Sequence, residues 1–333
     1  MKQLLFAAKR MMIPMQLLPF LLRTTPARLR RWMIPILPIR DLQVAKKLVD
    51  VMDENSRSIL EGKQAAIARG DSAILEQIGR GKDIISLLIR AAEKSSAEDR
   101  LSEEELRGQM NVMMFAGTDT TSTAMSRILH ELAHHMDVQE QLRKEVTQAA
   151  AHGDLEYDVL NKLPLLEAIC RETLRLYPPA ITASRQATRD TVLPLGIPMT
   201  GKDGTTITEV VVPKGTIVHV GIKAANTRCS LWGADALQWK PERWLNPLPS
   251  AIADADIPGV YPKLLTFIGG ARGCIGYKFA EISIKVQLAI LVKGFRFEVS
   301  DKKVAWKLGQ AEAPTFEGKH MLPMVVSMVS HDA

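Results

Sequence analysis

A mainly helical fold with a smaller β region is what the sequence predicts, and three observations carry that prediction. Apolar residues recur at helical spacing over most of the chain, with the longest such run between Ser102 and about His135. Runs such as "EVVV" and "TIVHV", punctuated by "GKDGT" and "PKGT", are concentrated between residues 181 and 225 and have a counterpart near the C-terminus. The composition is globular: 333 residues, 46% hydrophobic and 24% charged, without internal repeat or low-complexity linker, so residues 1–333 read as one domain.

The elements follow in order. "MMIPMQLLPFLL" (11–22) is apolar but interrupted by Pro14 and Pro19, and too short for a bilayer span of about 20 residues. Lys9 and Arg10 before it, and Arg23, Arg28, Arg30 and Arg31 after it, suit a segment that dips into a membrane surface. The alternative is a buried, proline-broken core helix. Residues 41–69 form an amphipathic helix closed by Gly70, and 82–94 form another before the polar "SSAED". Ser102 and Glu105 make a capping box that starts a helix of about 50 Å at about 1.5 Å per residue. Helices at 137–151 and 163–176 follow, the latter stopped by "YPP". After the 181–225 strands comes a helix at 276–294, and "FRFEV" and "MLPMVVSMV" read as paired strands.

Net charge is +6, with basic residues spread along the chain, which favours an acidic partner or anionic lipid over nucleic acid. Three cysteines (Cys170, Cys229, Cys274) are too few for a disulfide framework and fit a cytosol-facing location.

Four stretches carry chemistry. "AGTDTT" (116–121) puts Gly117, Asp119, Thr120 and Thr121 inside an apolar helical run. Glycine there costs about 1 kcal/mol relative to alanine, but lets something flat approach, and threonine hydroxyls can bond to i−4 carbonyls. A helix break with Asp119 or Thr120 as N-cap is the plainer reading. "ETLR" sets Glu172 and Arg175 three apart on one helix face, ordinarily a surface ion pair, though the flanks are apolar enough to bury it and Arg243 in "KPERW" offers a third partner. "HELAH" (130–134) matches a zinc-hydrolase pattern but lacks an identifiable third ligand. Finally, "FIGGARGCIG" (267–276) surrounds Cys274 with glycines and an arginine just before a helix. A thiolate needs that company, and a buried structural cysteine does not. Gly270 and Gly276 permit a tight turn and close approach.

Together, and in the same order, these motifs resemble cytochrome P450. "AGTDTT" is similar to the oxygen-binding motif of the central helix, "ETLR" to the ExxR pair, "PERW" to the region completing its triad, and "FIGGARGCIG" to the haem-binding loop. Ile268 departs from the pattern, which prefers a small residue there. The resemblance implies haem b held by the Cys274 thiolate, with Phe267, Gly270, Gly276, Ala116 and Gly117 against the cofactor. Arg272 and Arg185 would meet the propionates, Asp119 and Thr120 would handle proton delivery, and Glu172, Arg175 and Arg243 would be structural.

The activity implied is monooxygenation of an apolar substrate by O2, with electrons from NADPH-cytochrome P450 reductase, at the endoplasmic reticulum membrane but without a transmembrane anchor in this chain. "DALQWKPERWLNPLP" has a fungal look, pointing to secondary metabolism. Lys278 and Lys285, seven apart after Cys274, are expected to form a docking patch for the reductase. The resemblance starts near helix F of the family; "RRWMIPILP" has Ile36 where a helix-C arginine would stand. An inactive remnant that holds haem poorly, a zinc hydrolase through "HELAH", and haem-thiolate isomerase chemistry are the rival readings.

Overall fold

The computed structural model describes residues 18–69, 84–94, 96, 98, 100–151, 153, 155–308 and 311–329. The chain divides into two compact units, residues 1–120 and 121–333.

In the first unit, short helices α1 (Leu18–Thr24) and α2 (Ala27–Met33) are separated by Pro26, whose extended backbone ends one and starts the other. Helices α3 (Arg40–Ala68) and α4 (Ile84–Lys94) follow. The long helix α5 (Glu103–His134) begins here, and its capping box closes as expected. The Ser102 N–H donates to Glu105 Oε2 at 2.8 Å, while the Glu105 N–H donates to Ser102 Oγ at 3.3 Å. Leu60, Ile89, Leu106 and Met110 form the unit's small core. Of the proposed membrane-surface segment, residues 11–17 lie outside the described residues, as do Gly70 and residues 82–83. Phe20 and Leu21 in α1 are exposed. Among the described residues no helix is long and apolar enough to cross a membrane.

The second unit takes the rest of α5, then α6 (Met136–Ala149), α7 (Tyr157–Leu160) and α8 (Pro164–Leu176). Proline opens α8 where its missing N–H costs nothing. The Glu145 carboxylate of α6 accepts the next two N–H groups, from Leu165 and Leu166, at 2.9 Å each. Antiparallel pairs β1 (Thr182–Gln186) with β4 (Ile217–Gly221), and β2 (Thr191–Thr200) with β3 (Thr206–Val212), make up the β region. Short helices α9 (Ile222–Asn226), α10 (Cys229–Trp232) and α11 (Ser250–Ala253) lead to α12 (Tyr277–Gly294).

The terminal strands β5 (Phe295–Val299) and β8 (Met324–Met328) pair antiparallel, Phe295 opposite Met328, as "FRFEV" and "MLPMVVSMV" predict. Between them β6 (Ala305–Leu308) pairs with β7 (Glu312–Thr315). Gln139 of α6 holds β5 by its backbone, accepting from the Phe297 N–H at 3.0 Å and donating to the Phe297 carbonyl at 2.9 Å. The core joins Ile128 and Leu132 of α5 to Leu166 and Ile169 of α8 and to Leu288 and Val292 of α12.

Candidate active site

The segment from Pro258 to Gly276 folds back on itself, and its glycines make that possible. A Cβ at Gly269 would lie 1.6 Å from the Pro258 carbonyl oxygen, so only glycine lets the two backbone runs meet. Gly270, at φ +68°, starts a 3-10 turn (Gly270–Arg272) that a side chain would strain. Ile268 also sits at positive φ, +56°, held by hydrogen bonds on both sides: its N–H to the Leu265 carbonyl and the Val260 N–H to its own carbonyl, each 2.8 Å. Positive φ is unusual for a β-branched residue, so the departure at Ile268 bears on backbone as well as packing in this chain. The Cys274 N–H donates to the Phe267 carbonyl at 2.8 Å, which closes the loop. Cys274 is exposed and lies two residues before Gly276, the N-cap of α12.

The other two cysteines differ. Cys170 is buried in the core, where burial pushes its thiol pKa up and keeps it protonated. Cys229 is exposed at the start of α10, with no comparable glycine loop.

Glu172 and Arg175 are both fully buried, so they are no surface pair. Arg175 Nε and Nη2 donate to the two carboxylate oxygens at 2.8 Å each. Arg243, in the 3-10 turn Pro241–Trp244, brings its Nε to 3.5 Å from Glu172 Oε1. The Lys240 N–H and Trp244 Nε1 complete the carboxylate's shell at 3.0 Å each. Arg175 also donates to the Asn226 carbonyl at 3.1 Å. The Asn226 side chain in turn accepts the Leu265 N–H and donates to Thr266 Oγ1, both at 2.8 Å, and Thr266 donates to the Leu174 carbonyl. The ion pair therefore clamps the chain directly upstream of Phe267.

Ala116, Gly117, Asp119 and Thr120 lie in the first unit, on an unbroken α5, so the helix-break reading fails. Thr118 and Thr120 hydroxyls donate to the Met114 and Ala116 carbonyls at 2.7 Å, the i−4 bonding that keeps the helix satisfied around them. Val112, Ala116 and Thr120, four apart, form an exposed stripe, and Asp119 is buried. Arg272 and Arg185 are exposed, and no carboxylate pairs with either among the described residues; Arg185 donates to the Ser184 carbonyl.

One sequence expectation changes, and one rival reading finds no support. Lys285 is no docking lysine: it is 1% exposed, paired with Glu167 at 2.7 Å and Glu281 at 2.9 Å, so the two-lysine patch reduces to Lys278. The "HELAH" residues are engaged elsewhere. Glu131 faces Arg127 at 3.8 Å, while His130 stands edge-on to Trp306. Among the described residues no three metal-ligating side chains come together. Sequence reasoning missed Arg127, whose guanidinium lies between the Tyr177 and Trp306 rings at 3.8 and 3.6 Å. No local pattern could have paired residues so distant along the chain.

Comparison with known proteins identifies the family and the fold. The family model described as cytochrome P450 matches residues 22–311. Cytochrome P450 monooxygenase 91 of Postia placenta is 48% identical over 95% of this chain and 59% of its own length. Ganoderic acid synthetase CYP5150L8 of Ganoderma lucidum is 45% identical over 85% of this chain and 53% of its own. A crystal structure of a cytochrome P450 (CYP102L1) shares the fold at TM-score 0.63 and 24% identity, over 87% of this chain and 58% of that one. The chain thus spans somewhat over half the length of the proteins it matches. With the family model matching most of its residues and such relatives beside it, the chain belongs to the cytochrome P450 family.

Proposed function

We propose that this chain carries the haem-thiolate part of a monooxygenase that inserts one oxygen atom from O2 into an apolar organic substrate. The observation that carries this reading is Cys274: an exposed thiol in a rigidly closed glycine loop at the start of a helix, in a member of this family. The residues fit a haem b. The loop presents a soft sulfur donor, and Arg272 and Arg185 are guanidiniums with which no carboxylate pairs among the described residues, suited to two propionates. At Gly276 an added Cβ would meet nothing within 4 Å, and its φ of −92° needs no glycine; the space above it suits a planar group. Haem, when bound, supplies the one-electron iron chemistry on which dioxygen cleavage depends.

The chain's own residues then have distinct tasks. Cys274 Sγ binds, and the loop's backbone closure fixes where that sulfur lies. The Asn226 clamp keeps the loop from drifting when substrate or partner binds. Thr120 Oγ1 donates its hydrogen to the Ala116 carbonyl, which leaves its lone pairs outward as an acceptor. A hydroxyl so placed can take a proton and pass one on by rotating, and we assign Asp119, adjacent in sequence but buried on another side of the helix, to the same proton delivery. Electrons come from NADPH-cytochrome P450 reductase at the cytosolic face of the endoplasmic reticulum. Relatives from fungi, one of them named a ganoderic acid synthetase, support a role in secondary metabolism.

The test is spectroscopic. The haem-loaded protein, reduced and exposed to carbon monoxide, is expected to show the red-shifted Soret band of thiolate ligation. Cys274→Ala abolishes that band, while Cys170→Ala and Cys229→Ala keep it. A Cys274→Ala protein with the parent's carbonyl spectrum refutes the assignment.

A further inference from the structure

Lys285 lies on α12, eleven residues after Cys274, with its ammonium buried rather than offered to a partner. Burying a lysine is costly unless it is paired and fully hydrogen-bonded. Here Nζ is ion-paired with Glu167 at 2.7 Å and Glu281 at 2.9 Å, and it donates hydrogen bonds to Glu281 and to Asn161 Oδ1, the latter at 3.0 Å. Burial alone would lower the lysine's pKa, but these two carboxylates raise it, so the charge persists.

Glu167 belongs to α8 and does more than neutralise Lys285. It accepts from Arg171 Nε at 2.5 Å and from the Tyr261 hydroxyl at 3.4 Å. Tyr261 is 2% exposed and its ring stands edge-on to Phe267, centroids 5.5 Å apart. Phe267 in turn accepts the Cys274 N–H. The contacts form a closed ring: α12, Lys285, Glu167, Tyr261, Phe267, Cys274 and back into α12. This ring shares no side chain with the Glu172–Arg175–Asn226 clamp and grips the loop from a different segment.

We propose that Lys285, Glu167 and Tyr261 are positioning residues that hold the Cys274 loop at fixed distance from α8 and α12, and so set where the sulfur sits. The consequence for ligation rests on Cys274 being the haem ligand; the mechanical claim does not. A loop held at one side only would open more often and offer the sulfur in more than one place.

Arg272, exposed in the middle of the loop, makes the mechanical claim measurable without cofactor, because trypsin cleaves there only when the loop opens. The reference site is Lys202, exposed in the β2–β3 turn. In the haem-free chain, Lys285→Met is expected to raise cleavage after Arg272, relative to Lys202, by about tenfold, the equivalent of about 1.4 kcal/mol in loop opening. Lys285→Arg stays near the parent ratio. Tyr261→Phe, which loses only the hydroxyl, gives a smaller rise and serves if Lys285→Met does not fold. Arg127→Met is the control: it removes a buried cation from the same unit but not from the ring, and leaves the ratio unchanged. A parent-like ratio in both Lys285→Met and Tyr261→Phe overturns the proposal, as does an equal rise in Arg127→Met.

In haem-loaded protein, Lys285→Met is further expected to replace part of the red-shifted carbonyl band with the unshifted one at equal haem content. Should the parent itself lack the red-shifted band, the haem-thiolate reading fails, while the cleavage ratio still decides whether the ring holds the loop.

Discussion

Replacing Glu172 by glutamine keeps the side-chain shape and removes one charge, which isolates what the buried carboxylate does. Its two oxygens receive four N–H donors: Arg175 Nε and Nη2, the Lys240 backbone and Trp244 Nε1. A glutamine oxygen can keep two of them, but its amide nitrogen would face the other two as a donor facing donors. Two buried donors left unmatched cost about 1–3 kcal/mol each. The same figure follows from the charges: Arg175 and Arg243 would lose their common buried anion, and breaking a buried pair costs about 3–5 kcal/mol. Glu172→Gln should therefore lose about 4 kcal/mol, against the roughly 5–15 kcal/mol that holds a typical domain. Trp232, Trp239 and Trp244 surround this helix, so urea unfolding followed by tryptophan fluorescence reads the loss as a lower midpoint at unchanged slope. The double variant Glu172→Gln/Arg175→Met should lose less than the sum of the two singles, because no buried cation is stranded at Arg175. A single-variant loss below about 1 kcal/mol, or a double variant worse than the sum of the singles, refutes this account of the ion pair.

Three more outcomes can be checked. Gly269→Ala drives a Cβ into the Pro258 carbonyl and should cost about 3 kcal/mol, whereas Gly276→Ala, with open space around it, should leave haem-free stability within about 0.5 kcal/mol and weaken haem uptake instead. Thermal unfolding and haem titration of the two variants separate these effects; equal stability losses contradict the loop geometry. His130 has its pKa lowered to about 4 by burial, with His134 and Arg127 adding to the shift. Between pH 6.5 and 4 the unfolded chain therefore takes up a proton that the folded chain does not, so this group's contribution, complete above 6.5, is lost as pH falls. His130→Phe should flatten the stability curve in that window, and parallel parent and variant curves would disprove it. Thr120→Ala should leave haem binding intact and divert electrons into peroxide, read as peroxide formed per NADPH oxidised; an unchanged ratio removes Thr120 from proton delivery.

What could be read from residues alone was what depends on neighbours in the chain. The Ser102–Glu105 capping box, the α8 stop before Pro178 and the turns that bound β2 and β3 are local events. So is the pairing of Glu172 with Arg175, because three residues along a helix fix their relative direction. The glycines and cysteine of 267–276 likewise marked a loop with a thiol in it, since little else uses that combination.

Tertiary structure decided everything that depends on which way a helix faces. In α12, Ile282, Ile284, Val286, Leu288 and Ile290 put apolar groups all round the axis, so periodicity names no buried side. The fold buries Ile284, Lys285 and Leu288 and leaves Val286 and Ile290 exposed, and that choice turned an expected docking lysine into a buried one. Helical spacing could not show the choice, because the carboxylate that makes it affordable for Lys285 to point inward, Glu167, stands 118 residues earlier on α8. Arg127 between Tyr177 and Trp306, and Asn226 between Arg175 and Thr266, follow the same rule. Their partners are brought together by packing, and a charge in the interior is stable only after that packing has supplied its counterparts.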